Sequence, residues 1–112
     1  MSVLSIYVNG QVVFEYDREM TLVDEQMVFL DKMDSDMDRG IKIQGEALKN
    51  PDGRQKATFV AMNLIRALQQ VNEAAMSVSC AYLVSRLPGL VEVHANDEDG
   101  KVTIELVEEA LN

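Results

Sequence analysis

The sequence predicts an α+β domain: an antiparallel sheet from N- and C-terminal β-hairpins packed on about three α-helices, in the order ββαααββ. Three observations carry this expectation. Both ends have strand patterns around turn residues (Asn9-Gly10 near the start, the four-residue Asp97–Gly100 near the end), the middle of the chain has helical apolar spacing, and 112 residues suit one domain spanning 1–112. Apolar residues make up 47% of the chain, an ordinary share for a folded protein.

Val3–Val8 and Gln11–Tyr16 flank Asn9-Gly10, a dipeptide that accepts the positive φ of a type I′ turn. An uninterrupted two-residue hairpin pairs Val8 with Gln11, Ile6 with Val13 and Leu4 with Glu15. Its other face then carries Tyr7 opposite Val12, Ser5 opposite Phe14 and Val3 opposite Tyr16.

Thr21 and Asp24 have capping-box spacing and set a helix start near Leu22. The apolar stripe Val23, Met27, Leu30, Met33, Met37 follows, with Val28 and Phe29 lying off it. Turn residues fill 40–53, with a short extended piece at 41–43. Asp52 and Gln55 cap a second helix over about 54–71, where Ala57, Val60, Ala61, Leu64, Ile65, Leu68 and Val71 share a face. Phe59 and Met62 fall outside that stripe. Asn72 is the signal for a break before a third helix, although one helix running through Arg86 is the alternative. Ala74, Ser77, Ala81 and Ser85 give this third segment a face small enough for another helix to approach. Pro88-Gly89 ends it.

The closing hairpin alternates Val91, Val93, Ala95 and then Val102, Ile104, Leu106 with polar partners, as for a sheet with one wet face. A four-residue loop, Asp97–Gly100, pairs Ala95 with Val102 and Val93 with Ile104.

Composition narrows the function classes. Nineteen acidic against ten basic residues give a formal net charge of -9, which disfavours binding to nucleic acid or an anionic membrane. The charge is uneven: residues 15–38 hold nine acids and two bases, residues 39–90 seven bases and three acids. The N-terminal stretch reads as a strand and not as a signal peptide, and no apolar run reaches membrane-spanning length. One cysteine rules out an intramolecular disulfide, and a cytoplasmic address is the expectation.

The run 31–40 holds four aspartates. Asp34, Asp36 and Asp38 partly match a calcium loop, so Ca²⁺ or Mg²⁺ is the cofactor reading to test. The loop pattern fails at its sixth position, Arg39, and at its twelfth, Gly45. On a helix, Asp31, Asp34 and Asp38 share a side while Asp36 turns toward Lys32. Asp34 then enters the apolar stripe and needs a partner such as Lys42 or a backbone donor. A solvated or salt-bridged helix end is the leading reading, ahead of a cation site and a docking surface for a basic protein partner. Cys80 reads as an inert buried thiol, and His94 as a surface residue opposite Thr103. No nucleophile-and-base pairing or phosphate-binding glycine loop is evident. Val28, Phe29, Phe59 and Met62, outside the core stripes, point to a homo-oligomer interface, most simply a dimer. The expected function is a non-enzymatic interaction or regulatory protein. A divalent-cation binder comes second and a small enzyme third.

Overall fold

The computed structural model describes residues 2–43 and 45–109. Asn9 (φ 51°) and Gly10 (φ 82°) turn the chain between strands β1 (Val3–Val8) and β2 (Gln11–Asp17). Both residues sit in the left-handed region that a type I′ turn requires, which is why this dipeptide serves there. Pairing starts as expected, with Val8 against Gln11 and Tyr7 against Val12. The register then shifts, so that Ile6 faces Phe14, Leu4 faces Tyr16 and Val3 faces Asp17. Val13 is the extra residue of a β-bulge. Without it, Val13 and Glu15 would occupy the core face. With it, Phe14 and Tyr16 join Leu4 and Ile6 against the helices, and Glu15 points to water.

Helix α1 (Asp24–Asp38) begins two residues later than the Thr21–Asp24 spacing implies. Val23 is the N-cap, and its backbone N–H donates to Gln26 Oε1 at 3.0 Å. Leu22 packs on the core, which keeps the chain outside the helix until it has passed. Short strands β3 (Ile41–Ile43) and β4 (Glu46–Leu48) pair antiparallel after the helix.

Helix α2 (Gly53–Gln69) opens on the expected reciprocal cap: Gln55 N–H donates to Asp52 Oδ1 at 2.8 Å, and Asp52 N–H to Gln55 Oε1 at 2.9 Å. Helix α3 (Glu73–Arg86) starts with Asn72 accepting from Ala75 N–H at 3.2 Å. The break between them is a Schellman motif, in which Asn72 N–H donates to the Ala67 carbonyl and Val71 N–H to that of Leu68. Its left-handed position is filled by Val71 (φ 52°), where glycine is usual.

Strands β5 (Leu90–Glu98) and β6 (Lys101–Glu108) close the fold. Their turn is the two residues Asp99-Gly100 (φ 54° and 80°), tighter than the four-residue loop expected. Asp-Gly is itself a type I′ signal. The shift moves pairing by two residues, Ala95 to Ile104 and Val93 to Leu106, so each side chain keeps its face. His94 consequently lies opposite Glu105 instead of Thr103.

The two hairpins join in one four-stranded sheet, β2-β1-β5-β6, as the fold class requires. Each hairpin is antiparallel, but β1 and β5 run parallel, so the whole sheet is mixed. Asn9 helps fix this seam. Its N–H donates to the Ala95 carbonyl at 2.8 Å, and its Oδ1 accepts from Asp97 N–H at 2.9 Å. One face of the sheet, with Leu4, Ile6, Val93 and Ala95, is buried under the helices. On the other, Tyr7 and His94 stack with ring centroids 4.4 Å apart. α2 and α3 pack closely, whereas α1 approaches them mainly through side chains.

Candidate interaction surface

The acidic run ends α1 as a cross-helix clamp. Leu30 and Met37 are buried on the helix's inner side, and Asp34 lies between their turns. Its carboxylate meets α3: the Tyr82 hydroxyl donates to Oδ1 at 2.5 Å, and Arg86 Nε donates to Oδ2 at 2.9 Å. Lys56 of α2 reaches Asp38 at 2.6 Å and Asp34 at 3.6 Å. Arg86 also donates to Asp31 at 2.8 Å, and its guanidinium sits 5.6 Å from the Tyr82 ring centroid. The partners of Asp34 are therefore Tyr82, Arg86 and Lys56, in place of the Lys42 considered from sequence. They come from distant helices, so no local spacing announces them.

Burial works against the Asp34 carboxylate. Hydrogen bonds from Tyr82 and Arg86, with the charges of Arg86 and Lys56, outweigh it and hold the carboxyl below its usual range. Burial, reinforced by the bond to Asp34, pushes the Tyr82 hydroxyl well above the usual tyrosine range. Lys56 is raised chiefly by its bond to Asp38. With its acids matched to bases, the cluster serves as a polar lock between helices.

Asp34, Asp36 and Asp38 are not gathered around one point. Asp34 and Asp38 share Lys56, and Asp36 is exposed. Among the described residues, no group of three or more His, Cys, Asp or Glu side chains is placed to hold a metal ion. No ion pair joins Asp36 to Lys32 among them either.

The remaining titratable candidates are also partnered or enclosed. Cys80 is wholly buried, and burial pushes its thiol up to about 12, so no thiolate forms near neutrality. His94 Nε2 lies 2.9 Å from Glu92 Oε1 on the open sheet face, stacked on Tyr7.

Beside the polar lock, between α1 and α3, lies a mainly apolar groove of about 500 Å³, lined by Tyr16, Met20, Phe29, Ala74, Ser77 and Ala81 among others. A smaller hollow of about 240 Å³ adjoins it and shares Tyr16, Met20 and Ala81. The small face of α3 thus borders open space, consistent with its capacity for close approach. Val28 is 66% exposed and Phe29 49%, both on α1, and Met20 and Val23 stand exposed nearby in sequence. Phe59 is instead half-buried against the core. Met62 borders a separate depression with Arg66 and the β5–β6 turn. Of the four side chains set apart by sequence, Phe29 lines the groove, Val28 adjoins it on α1, and Phe59 and Met62 belong to α2. Met20 is one of the methionines whose flexibility suits an adaptable contact surface, whereas sequence alone did not mark Tyr16. The bulge turns Tyr16 inward and so makes it part of the groove wall.

No protein-family model matches the chain, and neither the curated proteins nor the solved structures provide a match. Among the described residues no helix is long and apolar enough to cross a membrane.

Proposed function

We propose that this protein is a non-enzymatic interaction module that works as a homo-oligomer, most simply a dimer, through the outer face of α1 and the adjoining groove. The observation that carries the reading is the exposure of Val28 and Phe29 beside an apolar groove about 500 Å³ in volume. Exposed apolar surface next to a concavity is the usual form of a docking site. A twofold dimer buries the same patch on both copies, so a projecting residue and a hollow on one surface suit self-association. The regulatory alternative to catalysis is supported by Asp31, Asp34, Asp38, Lys56 and Arg86, whose charges are engaged with one another across the helices. A cytoplasmic setting belongs to the same reading, in which the one cysteine, Cys80, is a free and buried thiol.

Static light scattering tests it. A mass of two chains at tens of micromolar, roughly the range where mass action fills a functional dimer, is the expected result. A monomer over that range overturns it.

A further inference from the structure

Resting on the interaction reading above, we infer that the occupant of the α1 face is a second copy of this chain, docked with its own α1 antiparallel. The inference comes from the order of side chains along the exposed side of the helix. Glu25, Val28, Phe29 and Lys32 are all exposed and lie in succession on α1. Spacings of three, four and seven residues put them on one helical face, with the charged ends roughly 10 Å apart along the axis. Over these two turns the stripe therefore reads acid, apolar, apolar, base, and exposed Asp36 follows one turn beyond Lys32 on the same side. Neither Glu25 nor Lys32 takes part in an ion pair with another described residue.

Such an order complements itself in only one sense. A twofold axis between Val28 and Phe29, with antiparallel helices, sets Val28 against Phe29 of the second copy. The same operation places Glu25 opposite Lys32 of the second copy at each end. From Asp24 to Met33 no carboxylate then faces a carboxylate. A parallel pair through the same face would bring Glu25 beside Glu25 and Lys32 beside Lys32, and like charges in contact oppose association. The apolar centre supplies the area, and the two outer ion pairs choose direction and register.

The net charge of -9 on each chain acts against any dimer. At physiological ionic strength, however, the screening length is about 8 Å, so charges spread over the domain are muted while pairs in direct contact persist. Contact chemistry on α1 decides the arrangement.

Charge exchange tests the geometry. Glu25→Lys and Lys32→Glu singly each turn two attractions into two repulsions and should raise the dimer dissociation constant about tenfold or more. The double variant E25K/K32E restores opposite charges across the axis and should return the constant to within about threefold of wild type, since pairs of this kind recover when both signs are exchanged. Both positions are exposed, so each diluted variant should melt cooperatively, close to wild type for Lys32→Glu and slightly lower for Glu25→Lys, which reverses an acid in the first turn of α1. A large drop would mark a folding defect instead of a docking defect. A dimer indifferent to the single exchanges, or a double variant as weak as the singles, overturns the antiparallel arrangement while leaving self-association standing. A wild-type chain that stays monomeric removes both.

Discussion

Tyr82 and Asp34, forty-eight residues apart, are joined by a hydrogen bond of 2.5 Å that ties α3 to α1. The Tyr82 side chain is buried and Asp34 is 28% exposed, so the bond lies at the boundary between core and solvent. Because α1 otherwise touches the helical pair mainly through side chains, the contact and its Arg86 and Lys56 neighbours fix how α1 is presented.

Truncating either partner should loosen α1. Tyr82→Phe removes one hydrogen bond and should cost about 1 kcal/mol, and Asp34→Ala, which also takes one of two carboxylate partners from Arg86 and from Lys56 while leaving them Asp31 and Asp38, about 2 kcal/mol. Urea unfolding of both single variants and the double should give a coupling of at least about 0.5 kcal/mol. Strict additivity would show that the bond is not formed in solution.

The same carboxylate predicts a pH dependence. Its pKa is lowered in the folded chain, so the unfolded chain binds its proton first as pH falls. The resulting stability is fully present above the unfolded value of about 4 and is lost as pH drops through the folded value. The stability gap between wild type and Asp34→Asn should therefore narrow on moving from pH 7 toward pH 2. A constant gap across that range would contradict the charge-based account of Asp34.

Val71 holds the left-handed position between α2 and α3 while 76% exposed. A β-branched residue there is strained by about 1 kcal/mol or more, and little packing is lost by trimming it. Val71→Gly should accordingly raise the melting temperature in calorimetry, and a lower one would mean that the Schellman geometry is relaxed in solution.

Asn9 has two tasks, turning the first hairpin and holding the end of β5 through Asp97 N–H. Asn9→Ala keeps neither the tolerance of positive φ nor the side-chain acceptor, and should destabilise by about 1–2 kcal/mol. Faster amide exchange at Asp97 than in wild type would place the effect at this seam. Unchanged protection there would assign it to the turn alone.

Much of the fold is legible locally. Asn9-Gly10, the Asp52–Gln55 cap and the Asn72 cap each combine a residue type with a short spacing, and each stands where those signals put it. What escaped was decided by distant parts. The Val13 bulge exists because Phe14 and Tyr16 gain more by facing the helices than straight pairing would give. Asp99-Gly100 could serve two loop lengths, and both preserve the apolar face, so alternation did not choose between them. The parallel seam between β1 and β5 has no local signature. At the candidate surface, Val28 and Phe29 stood out because they broke the helical stripe, whereas Asp34's partners and the Tyr16–Met20 groove wall arise only when three helices meet the sheet.

Sedimentation velocity on wild type and on Phe29→Glu addresses the central claim most directly. The substitution places a charge at the middle of the α1 face, where Phe29 is already half exposed and the fold can tolerate it. Wild type should sediment as a dimer, twice the 12.5 kDa chain mass, and the variant as a folded monomer. Equal masses for the two proteins, whether both one chain or both two, would contradict association through α1.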